Sequence, residues 1–246
     1  MSAGSRETEL PEALRRAAPL LTEPPEPGQL RDGYLDLLEA SPAPQAANQS
    51  TWSSARVSAA YDRFQSLLRK VAPRSGLPAS VTSLPAGSRA LDVGCGPGNL
   101  TGELGRACGP DGVALGVDIS APLLERGAAA ENAPSTGFVR ADARALPFHD
   151  DSFHVVTSIA NVHNVPEPGR ALREFVRVLA PGGRLLVLTL VKGGRTEKVL
   201  DVLAKRFAVT GLDPERTAEL LHSEGIATVH TRPGGSLLRI EAVKAS

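Results

Sequence analysis

Two cysteines in 246 residues, Cys95 and Cys108, have neither the C-x-x-C spacing nor the histidine neighbour of a zinc site. Both are expected to be buried, reduced thiols, as in a cytoplasmic protein. Charge of one sign is also missing: Lys+Arg and Asp+Glu are 27 each, so the formal net charge is zero. Proteins that hold nucleic acid through its phosphates carry a basic surplus, so nucleic acid is not the expected partner. No segment approaches the roughly 20 apolar residues of a membrane span. Residues 1–16, rich in Glu and Arg, do not read as a signal peptide. No cluster of side chains has metal-ligand spacing. Hydrophobic residues nevertheless make up 41% of the chain, ample for a core.

What is present is concentrated in Ala90-Leu-Asp-Val-Gly-Cys-Gly-Pro-Gly-Asn99. A short apolar run with Leu91 and Val93 opens into glycines at alternating positions, Gly94, Gly96 and Gly98. Leu100, Leu104, Ala107 and Cys108 follow at helical spacing, which predicts a strand, a glycine turn and a helix. Glycine accepts positive φ and lets a ligand approach main chain with no Cβ in the way. The same geometry aims helix N-terminal amides at a polar ligand. The spacing is not the dinucleotide fingerprint G-x-G-x-x-G, since counting from Gly94 reaches Asn99 and from Gly96 reaches Thr101. A Walker loop is excluded as well, because no Lys-Ser or Lys-Thr pair follows the glycines.

Two further strand ends deliver acids. Val113–Val117 runs into Asp118, then Ile119 and Ser120; Phe138 and Val139 lead to Asp142 and Ala143. Asp118 lies 24 residues after Gly94 and Asp142 another 24 after Asp118, about one βα unit each. An acid at the tip of the next strand of a doubly wound sheet is placed to accept hydrogen bonds from ribose hydroxyls. Aspartate is disfavoured inside strands, so two in step with the glycine turn form a pattern.

Four segments in this order, L-D-V-G-C-G-P-G-N, V-D-I-S, A-D-A-R-A-L-P-F-H-D-D-S-F and A-L-R-E-F-V-R-V-L-A-P-G-G-R-L-L-V-L, resemble the class I S-adenosylmethionine-dependent methyltransferases over about Leu91–Leu190. The resemblance implies an α/β, Rossmann-like fold: a seven-stranded, mostly parallel sheet, helices on both faces and a terminal antiparallel hairpin. It implies S-adenosyl-L-methionine as cofactor. Gly94, Cys95, Gly96, Gly98 and Asn99 would contact its methionine part, and Asp118 with Ile119 its ribose side. Asp142 would accept from the adenine amino group while Ala143 offers backbone, and Ile159 and Ala160 would lie near the sulfonium. His154 stands where the family has an acid and is read as structural. The last segment also resembles the ubiquinone and menaquinone C-methyltransferases, whose glycine loop differs, so the kinship is one of core rather than substrate.

Proline and alanine crowd residues 1–50, read as a partly helical or mobile N-terminal extension of a methyltransferase domain at 51–246. Leu10, Leu14, Ala17 and Leu21 predict one short helix; Leu30, Tyr34, Leu37 and Leu38 predict another. Residues 51–75 predict a longer helix, which in the family often lids the cofactor. Its Tyr61, and Trp52 before it, either close on the methionine end or pack on the sheet. Strands are expected at 89–93, 113–117, 137–141, 153–158 and 184–190, then at 227–230 and 237–243. Helices are expected at 99–107, 120–130, 168–179, 196–207 and 214–223. Glu174 and Arg177 read as solvent or helix-end charges, and His149 as a solvated turn residue. His163, after the fourth of those strands, is the best-placed general base if the acceptor is a hydroxyl, or else a loop-packing residue. The expected reaction is methyl transfer to a small organic acceptor through O, N or C. The alternatives are an RNA or protein methyltransferase and a non-catalytic cofactor-binding protein. Oligomeric state stays open between monomer and homodimer.

Overall fold

The computed structural model describes residues 10–38, 81, 83–130, 133–191, 211–234 and 237–246. Within them β1 (Leu30–Arg31), β2 (Tyr34–Asp36), β3 (Arg89–Val93), β4 (Val113–Asp118), β5 (Thr136–Arg140), β6 (Phe153–Ile159), β7 (Leu179–Leu190), β8 (Ile226–Gly234) and β9 (Leu237–Lys244) form one sheet. Their order is β1-β2-β5-β4-β3-β6-β7-β9-β8. β3 pairs in parallel with β4 and β6, and parallel pairing continues out to β5 and β2 on one side and to β7 on the other. β9 runs antiparallel between β7 and β8. The central strands are apolar almost without interruption because both faces are covered, the pattern of a parallel sheet.

Helices α1 (Glu12–Ala17), α2 (Asn99–Cys108), α3 (Ala121–Ala130), α4 (Pro168–Val178) and α5 (Pro214–Ser223) flank it. α4 buries Ala171, Leu172, Phe175, Val176 and Val178. Its chain passes at once into β7, whose pairing with β6 jumps from Phe153↔Leu179 to Val155↔Arg184 and so leaves Ala180-Pro-Gly-Gly183 as an irregularity. β7 therefore begins five residues earlier than residue 184, the start expected from the apolar run.

Seven strands are expected and nine are found among the described residues; the two additional ones come from the segment read as a second N-terminal helix. Asp32 and Gly33 have φ of 45° and 86°, so Arg31 and Tyr34 are joined by a two-residue turn. Asp-Gly supplies the two positive φ values that a primed hairpin turn demands, and here it prevails over the helical spacing of Leu30, Tyr34, Leu37 and Leu38. β2 then pairs with β5 through Leu35↔Val139.

Residues 10–38 are integral to the sheet and core. Ala13, Leu14, Ala17 and Leu21 belong to the main apolar cluster. A Cβ on Gly137 of β5 would lie 3.0 Å from Leu14 and 3.2 Å from Ala13, so glycine there admits α1. Beyond α1, the Thr22 N–H donates to the Pro147 carbonyl at 3.1 Å and the His149 N–H to the Leu20 carbonyl at 2.9 Å. The expected boundary near residue 50, the lid helix at 51–75 and the helix at 196–207 lie outside the described residues.

Because Leu14 is fully buried, Leu14→Ala is expected to cost about 2–5 kcal/mol. A urea titration would show the midpoint falling at unchanged slope; a loss within about 0.5 kcal/mol, the surface range, would show that α1 is not part of the core.

Candidate functional site

The turn after β3 holds three glycines in the left-handed region, with φ of 75° at Gly94, 54° at Gly96 and 74° at Gly98. The N–H groups of Gly94 and Cys95 donate to the Val117 carbonyl at 2.7 and 3.1 Å, which folds the turn over the end of β4. A Cβ on Gly94 would meet the Asn161 side chain at 2.1 Å, and one on Gly98 the Phe138 ring at 2.4 Å. Gly98 caps α2 with no side-chain hydrogen bond. The first-turn amides, beginning at Asn99, thus gain no partner from a capping side chain.

Asp118 joins the loop directly. Its Oδ2 accepts the Gly96 N–H at 2.9 Å and its Oδ1 the Ser120 N–H at 2.9 Å. Burial raises its pKa, against the pull of those amide hydrogen bonds. Beneath it, Asp92 accepts from the hydroxyls of Thr101 at 2.8 Å and Thr157 at 3.0 Å, and burial pushes its carboxyl up to about 6. Asp92 escaped the sequence reading although its signal was there: a charged residue between Leu91 and Val93 has to be satisfied inside the sheet.

After β5, Asp142 and Ala143 follow Arg140 by two and three residues. Asp142 is half-buried and carries a four-contact clamp from Arg144. Burial raises the Asp142 pKa, but hydrogen bonds and charge from Arg144, with the charge of Arg170, outweigh it and hold the carboxyl below its ordinary value. The Ile119 carbonyl accepts from Arg140 Nε at 3.0 Å, and Arg140 Nη1 donates to the buried Asp36 at 3.0 Å.

At the end of β6, Ile159 is half-buried and Ala160 takes φ of 56°, a conformation that costs a non-glycine residue energy. Ser158 Oγ ties this strand to the Val93 carbonyl at 2.9 Å, and the Ala160 N–H ties it to the Leu188 carbonyl at 2.7 Å. A 3₁₀ turn at Val162–Asn164 then buries His163, 6% exposed, with Nδ1 3.1 Å from Thr189 Oγ1 of β7. Burial lowers its pKa to about 4.

Parallel pairing puts the ends of β3, β4, β5 and β6 at one edge of the sheet, so every predicted site residue except Tyr61 comes to that edge. Tyr61 and Trp52 lie outside the described residues. His154 is remote from the edge; its Nδ1 accepts the Arg89 N–H at 3.0 Å, a structural role. Glu174 and Arg177 are not loose helix-end charges. Glu174 accepts the Leu146 N–H at 2.8 Å, and Arg177 donates to the carbonyls of Leu146 and Phe148, to Glu174 and to Asp150. The pair pins the loop that follows Asp142. Its partners are main-chain groups some 30 residues away, which no local pattern marks.

Residues 91–187 match the family described as methyltransferase domain. The ubiquinone/menaquinone biosynthesis C-methyltransferase UbiE of Hahella chejuensis is 43% identical over 111 residues, 44% of this chain and 45% of that protein, so the match spans less than half of that relative. The UbiE of Ectopseudomonas mendocina is 34% identical over 185 residues, 71% of this chain and 70% of that protein. Phosphoethanolamine N-methyltransferase 2 of Haemonchus contortus, solved in complex with S-adenosyl-L-methionine, has a TM-score of 0.59 at 15% identity, covering 76% of this chain and 53% of that one; the two share a fold. No helix among the described residues is long and apolar enough to cross a membrane. The chain belongs to the class I methyltransferases, whose cofactor is S-adenosylmethionine.

Proposed function

We propose that this protein transfers a methyl group from S-adenosylmethionine to a small organic acceptor. The observation that carries the reading is the Gly94–Gly98 turn locked to Asp118 through the Gly96 N–H, with Asp142 on the neighbouring strand end. The turn is the kind of cradle that a Cβ would fill, and the two carboxylates are acceptors spaced one strand apart. A net charge of zero favours a small acceptor over RNA. Product formation separates this reading from a protein that only binds the cofactor.

When bound, the cofactor supplies a methyl group on a good leaving group. The chain's task is then mostly placement, which is worth up to roughly 7–11 kcal/mol in favourable cases. Asp118 accepts from the ribose hydroxyls, Asp142 accepts from the adenine amino group, and Ala143 offers backbone beside it. Gly94, Cys95, Gly96, Gly98 and Asn99 face the methionine part. Ile159 and Ala160 would lie near the sulfonium. Tyr61 is assigned to the lid on the strength of the family resemblance alone.

His163 enters this scheme as a neutral imidazole. A pKa of about 4 leaves it unprotonated at neutral pH and a weak proton acceptor. Its hydrogen bond to Thr189 favours holding the Asn161–Asn164 turn against the acceptor side over removing a proton.

Asp118→Ala is expected to weaken S-adenosylhomocysteine binding by about 1.5–3 kcal/mol, the range for a hydrogen bond to a charged group. Calorimetry tests it, and unchanged affinity would overturn the ribose assignment. For His163, the turnover of the unmodified protein is expected to show no break near pH 6.5, the ordinary histidine value. His163→Gln, which keeps a polar partner for Thr189, is expected to retain more activity than His163→Ala. A break near 6.5 that both substitutions abolish would restore the general-base role.

A further inference from the structure

Arg144 occupies a position between Ala143 and Ala145 that the family motif leaves without a role, yet its guanidinium is among the best-buried charges described. The residue is 6% exposed. Its backbone N–H donates to Asp142 Oδ1 at 2.8 Å, its Nε to both carboxylate oxygens at 3.1 Å each, and its Nη2 to Oδ2 at 2.7 Å. An exposed ion pair between residues two apart would be worth little. This pair joins a buried guanidinium to a half-buried carboxylate through a fork of Nε and Nη2, the arrangement in which arginine fixes orientation as well as charge.

We propose that Arg144 is a positioning residue that sets adenine recognition by holding the Asp142 carboxylate in one orientation. The inference rests on the reading that Asp142 receives the adenine amino group. An ionised carboxylate offers about four lone-pair positions. Three N–H groups of Arg144 reach them through four contacts, two on each oxygen, with the Nε–H divided between the two at 3.1 Å each. An exocyclic N–H competes only with that divided contact, at an oxygen already fixed in direction. A 6-oxo group in the same place would set acceptor against acceptor.

The clamp is itself anchored to the start of α4. Arg144 Nη1 lies 3.6 Å from the Glu167 carboxylate, and the Arg144 carbonyl accepts from Arg170 Nε at 3.1 Å. Glu167 caps α4 with φ of 55°, a left-handed conformation. The charged groups facing Asp142 are therefore Arg144 from its own loop and Arg170 from α4, with Glu167 reaching it only through Arg144. With Arg144 removed, burial is the largest remaining influence, and it raises the carboxyl. The acceptor would then become protonated as pH falls, and the adenine contact would be lost.

The test is calorimetric titration of the full chain with S-adenosylhomocysteine and with S-inosylhomocysteine, whose base carries oxygen in place of the amino group. The unmodified protein is expected to prefer the adenosyl ligand by about 10- to 150-fold, the span of one charge-assisted hydrogen bond. In Arg144→Met, which keeps the apolar stem, that preference is expected to shrink to a few-fold. Arg144→Lys, which keeps the charge without the fork, is expected to fall between the two, and it decides the matter if the methionine variant does not fold. Equal binding of both ligands by the unmodified protein would overturn the Asp142 assignment itself. Discrimination that survives undiminished in Arg144→Met and Arg144→Lys, whatever their absolute affinities, would leave that assignment standing and overturn the role of Arg144.

Discussion

A backbone turn with no room for a Cβ at the end of β3 governs the arrangement around it. Gly94 is overlaid by Asn161 from the β6 side, and Gly98 abuts the Phe138 ring from β5. Phe138 in turn fills the space that a Cβ on Gly116 of β4 or Gly127 of α3 would need, with contacts at 3.0 and 3.2 Å. The ring, with Cys95 and Thr101 over Gly116, thus limits how closely α2, α3 and the central strands approach. Substituting glycine at these points would force the neighbours apart and strain the backbone at once, because Gly94 and Gly98 also carry positive φ. The closeness of the loop to Asp118 follows: only when the turn folds back over Val117 does the Gly96 N–H reach the carboxylate.

Three aspartates within one edge of the sheet are held in three different electrical settings. Asp92 has no cationic partner among its hydrogen bonds, and burial dominates, so its carboxyl is pushed up to about 6. Asp118 receives backbone amides, which temper the same burial penalty without cancelling it. Asp142 has a guanidinium, and its pKa falls. Desolvation is common to all three, and the hydrogen-bond donor decides the sign. The arrangement suits a site in which one acid supports the loop from below while the other two meet a ligand.

Much of this was legible in the sequence, for identifiable reasons. Parallel strands buried on both faces read as apolar runs, so β3, β4 and β5 lie within a residue or two of the expected spans. Helix ends were marked by Pro168, by Pro214 behind the Asp213 cap and by the glycine turn, and α5 spans the expected residues. The N-terminal hairpin was misread because four apolar residues at helical spacing masked Asp32-Gly33, which is the stronger local signal. Loop packing of His163 was one of two readings the sequence left open; its partner Thr189, 26 residues away across a strand pair, was not legible. Arg144 drew no reading from the sequence, because nothing local distinguishes a charge clamping its neighbour from one in water.

The N-terminal segment bears on both loops that the proposed function assigns to adenosine. On one side Asp36 holds Arg140, whose Nε reaches the Ile119 carbonyl just past Asp118. A buried ion pair gains little net stability, since desolvating both charges offsets most of their attraction. Its consequence here is geometric: the position of β2 is transmitted to the loop after β4. On the other side, Leu20 and Thr22 exchange backbone hydrogen bonds with His149 and Pro147, in the stretch that Glu174 and Arg177 also pin. The first described residues therefore complete the walls of the site from behind, across separations of more than 100 residues. Contacts of such high sequence separation form only after costly loop closure. The loops after β4 and β5 accordingly depend on the chain's N-terminal segment having docked.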